Sequence, residues 1–414
     1  MAEQEHKSIF TKHIDRRNKI VKNKDVLLTS YMPGELPHRM GDVDAIATVI
    51  APAFEGDKPS NIMIFGKPGT GKTAVMNFIG KEMKKEDPNE NNCSYIYVNC
   101  EIVDTQYGIL CKIGNDIIAN FEKRMPFTGW SLEKVYSEMR NYIDGQDKVF
   151  VVVLDEVDRL AQKGGDDVLY HLSAINDDLK YSKVSLVCIS NKADYTDSLE
   201  PRVKSRLCEE KLLFHPYDAK QLDDILRRRG EIAFEEGTLE EGVIPLCAAL
   251  SAQESGDARK ALALLRIAAE IAERRGDNAV AEAHVRSAKA RIELDTVSET
   301  VKSLTHQSKT ILMSIVYNTK EDIRKMTTGD VYSKYVELCD ILSLPVLTQR
   351  RVTDLISELD MLGIIHAPVR SYGRQGRTKE IELSVPAEIC DMLSDDECML
   401  PLKKYKPRKQ TTLL

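Results

Sequence analysis

Residues 66–73 read Gly66-Lys67-Pro68-Gly69-Thr70-Gly71-Lys72-Thr73, directly after the apolar run 61–65 and at the start of a helical pattern that continues through Ala74. Glycines in such a loop let main-chain N–H groups point inward at phosphate oxygens, where a side chain would block them. The helix N-terminus behind it adds positive potential. The device works only where a strand ends at a helix start, and both flank it here. It therefore commits the surrounding chain to a wound α/β domain. Lys72 is expected to reach the β- and γ-phosphates and Thr73 to put its hydroxyl on Mg²⁺. The residues from Gly66 to Ala74 form the expected nucleotide cradle.

The neighbouring sequence fits that frame. The runs 61–65, 94–98, 149–154, 184–189 and 211–215 read as strands, and three of them are apolar on both faces, as buried parallel strands must be. Helical patterns separate them. The strand 149–154 leads into Asp155-Glu156. Asp155 is expected to hold the magnesium shell and Glu156 to polarise an attacking water. Asp158 and Arg159 read as an ordinary helix start. After the next strand comes Asn191-Lys192-Ala193-Asp194, the pattern with which GTPases read guanine. A GTPase also needs a glycine three residues after the magnesium aspartate, and that position is Asp158. Asn191 is instead expected to lie between the acids and orient the water that Glu156 activates.

Past residue 217 the strand signals stop, and four helical segments make a small all-α unit. Residues 304–317, 327–342 and 347–363 then give three helices, followed by a strand, a Gly- and Arg-rich turn and a strand, which is the pattern of a winged helix. Val352, Leu355, Ile356, Leu359 and Leu362 fall on one face of the third helix, and Thr348 is its expected cap. Arg350 and Arg351 lie at the N-terminal end of that helix, where a major groove is read. The hairpin carries Arg370, Arg374, Arg377 and Lys379, suited to phosphate and minor-groove contacts.

The formal net charge of −7 confines any nucleic-acid surface to local patches. Nine scattered cysteines form no Cys-x-x-Cys pair, which argues against zinc and against a disulfide framework. No apolar run approaches the ~20 residues that span a bilayer, and no signal-peptide core is visible. The expected location is cytoplasmic, associated with the nucleoid, with no membrane partner.

The α/β P-loop core with Asp155-Glu156 and Asn191 resembles the AAA+ ATPases, with Asn191 at the sensor 1 position. The resemblance implies an arginine finger in "EPRVKSR", best matched by Arg206, with Arg202 as a tether. It also implies a sensor 2 arginine at Arg259 in "SGDARKALALLR". A cation in the first turn of a helix opposes the macrodipole, and a bound phosphate reverses the sign. The order of AAA+ core (parallel sheet), all-α lid and C-terminal winged helix narrows the match. With "YMPGELPHR", "LDEVDRL", "GDARKAL" and "GRQGRTKEIEL", the chain resembles the archaeal origin-recognition and Cdc-type replication initiators over nearly its full length.

That resemblance implies an ATP-dependent initiator with slow hydrolysis as a switch. Its implied partners are double-stranded origin DNA, the replicative MCM helicase and paralogous initiator subunits. ATP or ADP with Mg²⁺ is the implied cofactor, with Tyr31, Pro33 and Arg39 on the adenine side. A helical insertion between the second and third strands is implied to touch DNA through Arg124, Thr128 and Trp130. The expected divisions are a loose arm 1–24, core 25–216, lid 217–296, winged helix 297–400 and basic tail 401–414. A branch-migration motor and a nucleotide-regulated transcription factor remain the alternative readings, with a GTPase the weakest.

Overall fold

Five strands, β1 (Ile62–Gly66), β2 (Cys93–Asn99), β3 (Val149–Asp155), β4 (Lys183–Ser190) and β5 (Glu210–Phe214), form one sheet in the order β2-β3-β4-β1-β5. Every pairing is parallel. β1 and β3 are buried at every position, and β4 is buried from Val184 onward. The edge strands are not: β2 alternates and β5 is mostly open. Helices cover both faces of the central strands, which is why their sequences lack a polar alternation. One face packs on helices 106–117, 132–144 and 166–174, and the other on helices 40–50 and 72–86. β1 sits between β4 and β5, so the carboxyl ends of β1, β4 and β3 lie side by side at one edge, the usual ligand crevice of such sheets.

The computed structural model describes residues 20–118, 120, 122, 124–163, 166–321, 326–371, 377–385, 393 and 396–405. The chain divides into two units on either side of Arg286 and Ser287, inside the helix Glu282–Ser303. In the first unit, the three lid helices Ala219–Ala233, Val243–Glu254 and Ala258–Arg275 follow β5. Asp218 and Gln221 close a reciprocal capping box on the first, and Asp257 caps the third. The expectation of a loose arm reached to residue 24. Instead the chain is docked on the lid from Ile20: Val21 bridges Phe234, and Lys24 meets Glu273 at 2.6 Å. Burial of Ile20 and Val21 supplies the reason.

The 49 residues between β2 and β3 carry helices Gln106–Ile117 and Leu132–Asp144, capped by Thr105 and Ser131. In the second unit, helices His306–Lys320, Thr328–Leu342 and Gln349–Met361 surround one core. Strand β9 (Arg377–Leu383) pairs antiparallel with β6 (Met326–Thr327), β7 (Ile365–His366) and β8 (Val369–Ser371). Helix 349–361 buries Val352, Leu355, Ile356 and Leu359, with Thr348 as its cap. Leu362, expected on the same face, is 51% exposed because the helix ends one residue before it. No helix among the described residues is long and apolar enough to cross a membrane.

Candidate functional site

The loop after β1 is held by the lid as well as by the sheet. Gly69 and Gly71 have φ of +75° and +92°, a backbone that favours glycine. A Cβ at Gly69 would run into the Asp257 carboxylate, and one at Gly71 would come within 2.7 Å of the Tyr217 hydroxyl. The Ala258 N–H donates to the Gly69 carbonyl at 3.2 Å. Asp257 also accepts from the Arg259 N–H at 2.8 Å, so one carboxylate caps the lid helix and abuts the loop.

Lys72 is 5% exposed. Its ammonium donates to the carbonyls of Gly66 (2.7 Å) and Lys67 (3.0 Å) and to Asn191 Oδ1 (2.9 Å). Burial lowers its pKa, the Asp155 charge opposes that, and the nearby Arg259 adds to it. The ammonium is thus partly desolvated and, among the described residues, hydrogen-bonded to neutral oxygens alone, a state that an anion relieves. Asp155 is 3% exposed. Its Oδ2 accepts from the Thr73 hydroxyl at 2.6 Å and from the Tyr97 hydroxyl at 2.7 Å. A hydroxyl and a carboxylate in contact at the lip of a phosphate loop are the hard oxygen donors that Mg²⁺ takes.

Glu156 has φ of +59°, in a region that few residues other than glycine enter. Burial raises its carboxyl pKa, and the Glu101 and Asp155 charges add to that. Arg159 lies 3.9 Å away and counters them. Asn191 is set by Asp158, whose Oδ1 accepts from the Asn191 N–H at 3.1 Å and from the Ser190 hydroxyl at 3.2 Å. Asp158, read from sequence as an ordinary helix start, is therefore a buried anchor for this turn. The Asn191 side chain engages the phosphate-loop lysine, and Asp194 stands exposed at the start of the short helix 195–198. This is not a guanine reader's arrangement.

These groups open onto a cavity of about 780 Å³ between core and lid, of the size that takes a small ligand. Pro68, Gly69, Gly71, Lys72, Thr73 and Ala74 line it with Asp155, Glu156 and Asn191. Tyr31, Pro33 and the rest of segment 28–37 line it as well, with Ile225, Ile232 and Leu262 from the lid. Arg259 lines the lid side, half exposed. Thr70 is buried beneath the loop, donating to the Lys67 carbonyl at 2.9 Å.

Arg39 does not line the cavity. It is stacked between Phe214 (5.1 Å) and Tyr217 (4.3 Å) and bonded to Asp42 and the His215 carbonyl. Arg206 pairs with Asp177 at 2.8 Å and Arg202 with Glu200 at 3.3 Å; neither lines this chain's own cavity.

In the insertion, Asn115 clasps Met125 through both its main-chain groups (2.7 and 2.9 Å), and the Tyr107 hydroxyl donates to the Pro126 carbonyl. Arg124 and Thr128 project from this anchored loop. Phe127, which sequence reasoning passed over, is 59% exposed beside them. Trp130 is partly buried against the core, with the Lys134 ammonium 4.0 Å over its ring.

In the second unit, Arg350 and Arg351 are exposed at the start of helix 349–361. Arg370 lies 3.8 Å from Glu380, and Lys379 donates to the Ser357 hydroxyl at 2.6 Å. Arg374 and the side chain of Arg377 lie outside the described residues.

Comparison with known proteins follows the same three parts. Residues 62–215 match the model of the ATPase family associated with various cellular activities (AAA). Residues 223–290 match the Cdc6 AAA+ ATPase-type lid domain, and residues 299–391 the CDC6 C-terminal winged helix domain. The chain is 48% identical over 402 residues to the ORC1-type DNA replication protein 1 of Methanosarcina mazei, covering 96% of each. It is 49% identical over 403 residues to the ORC1-type DNA replication protein of Pyrococcus abyssi, covering 97% of this chain and 96% of that one. Among solved structures it resembles the Aeropyrum pernix ORC1 protein in complex with DNA, with a TM-score of 0.74 and 42% identity over 93% of this chain and 99% of that chain.

Proposed function

The chain belongs to the ORC1/Cdc6 family of AAA+ DNA replication proteins, and on that premise we propose that it is an ATP-dependent initiator of replication. It binds ATP with Mg²⁺ between core and lid and grips double-stranded origin DNA through its winged helix and the loop 124–130. It then helps recruit the replicative MCM helicase, with paralogous initiators as co-subunits and slow hydrolysis as the switch. The observation that carries the nucleotide half is Lys72: a buried cation, hydrogen-bonded among the described residues to neutral oxygens alone, facing a cavity beside the Thr73–Asp155 pair.

Bound ATP supplies the transferable phosphoryl group, and Mg²⁺ neutralises its charge. Lys72 exchanges carbonyl partners for phosphate oxygens. Thr73 and Asp155 would hold the metal, and Tyr97 fixes the Asp155 carboxylate. Glu156 takes the proton from the attacking water at its carboxylate, and Asn191, held by Asp158, orients that water. Arg259 senses the phosphates from the lid, so that nucleotide draws lid and core together. Arg206 acts on the site of a neighbouring copy.

Lys72→Ala is expected to weaken ATP binding by at least about tenfold, as loss of a charge-assisted contact implies, while the melting temperature without nucleotide stays close to that of the unaltered chain. Calorimetry beside a thermal melt checks both. The winged-helix reading is tested by Arg350→Glu with Arg351→Glu. Affinity for duplex DNA is expected to fall, and the slope of log K against log salt to flatten by about two if both side chains meet phosphates. Mapping of bound sites in cells should show peaks at replication origins; peaks confined to promoters would favour a transcription factor.

A further inference from the structure

We propose that Arg229, on the first lid helix, is a specificity-determining residue that sets which base the cavity accepts by fixing the wall containing Tyr31. The inference rests on the nucleotide reading above and adds a residue to which neither the motifs nor the comparisons assign a role. Arg229 lines the cavity. Its guanidinium donates to the carbonyls of Val26 (3.0 Å) and Tyr31 (3.3 Å) and lies 4.5 Å over the Tyr31 ring. Two main-chain carbonyls and a ring face thus occupy three sides of one planar cation.

Burial lowers the Arg229 pKa, and among the described residues no carboxylate pairs with it. A desolvated guanidinium spent on neutral partners contributes little as an ion pair. What it supplies is geometry, since a rigid planar fork fixes the direction of both carbonyls, whereas an ammonium is a rotatable point charge on a flexible stem.

The segment it holds has no regular structure between Thr29 and Arg39, apart from turns, so its shape depends on outside ties. Two more come from the same helix: Arg228 to Glu35 at 2.6 Å and Asp224 to His38 at 2.8 Å. Both of those are exposed and weak by nature. Arg229 is the tie from this helix that engages Tyr31, a residue lining the cavity. The base end therefore takes its shape from core and lid jointly, and base choice becomes coupled to lid position.

The test uses the full chain stripped of nucleotide, with ATP, ADP and GTP titrated in the presence of Mg²⁺. Arg229→Met keeps the length and apolar stem but removes the fork, and Arg229→Lys keeps only the charge. Both are expected to weaken ATP and ADP binding about tenfold and to narrow the ATP-over-GTP ratio by a similar factor. KM should rise, while kcat at saturating ATP stays within about threefold. A purely structural role would lower the melting temperature and leave the ATP-over-GTP ratio unchanged. Arg229→Lys decides the matter if Arg229→Met fails to fold. An ATP-over-GTP ratio left unchanged in a folded Arg229→Lys chain would overturn the inference. If the unaltered chain itself fails to prefer ATP, the nucleotide reading fails first, and that outcome is distinguishable because it needs no variant.

Discussion

Glu156→Gln is expected to bind ATP about as tightly as the unaltered chain and to hydrolyse it roughly 10²- to 10⁴-fold more slowly, the usual contribution of a positioned general base. The carboxylate carries the proton that water must lose, and an amide of the same shape cannot take it. The environment of Glu156 gives a second signature. Burial, then Glu101 and Asp155, push its carboxyl pKa upward. A base works only when ionised, so hydrolysis should fail as pH drops through a value above the ordinary glutamate range. Glu101→Gln removes one of the repelling charges, and the acid limb should move to lower pH.

Linkage runs in the matching direction. A carboxyl whose pKa is raised by folding costs stability once it ionises, so this cost grows as pH rises from the unfolded value through the folded one. Glu156→Gln should therefore melt slightly higher than the unaltered chain at neutral pH. The left-handed backbone at 156 remains in that variant, consistent with strain held at a working residue. A Glu156→Gln chain that hydrolyses ATP at the normal rate would remove Glu156 from the chemistry.

Arg206→Ala is expected to leave ATP binding by single chains intact and to reduce hydrolysis by assembled chains about 10³-fold or more, the effect of losing an arginine supplied in trans. Arg206 pairs with Asp177 on the surface and does not line this chain's own cavity, so any action on a γ-phosphate must reach another copy. Mixing makes the test strict. An Arg206→Ala chain retains Glu156, and a Glu156→Gln chain retains Arg206. At an interface where the second donates its arginine to the first, one site is complete. Mixed assemblies should hydrolyse ATP well above either variant alone. No recovery on mixing, under conditions where the chains associate, would contradict the role in trans.

Much of this was legible in the sequence because its signals are local. The phosphate loop, Asp155-Glu156 and the apolar strands each occupy a few consecutive residues, and period and spacing identify them. The residues that went unread act across the fold. Tyr97 reaches Asp155 from the neighbouring strand, Asp257 meets Gly69 from the lid, and Arg229 meets Tyr31 across 198 residues. None of these has a local signature, since each side chain type is ordinary where it stands. Asp158 was misread for the same reason: an acid at a helix start explains itself, until the turn it holds comes into view. Arg39 shows the converse. A motif put it on the adenine side, and packing stacks it on Tyr217, outside the residues that line the cavity.

Titration of the nucleotide-stripped chain with ATP and with GTP, each with Mg²⁺ and each repeated on Lys72→Ala, bears most directly on whether a triphosphate is held between core and lid. The expected result is one ATP bound per chain, GTP bound more weakly, and the ATP signal greatly diminished in Lys72→Ala at an unchanged fold. Absence of ATP binding by the unaltered chain, or equal binding by Lys72→Ala, would contradict it.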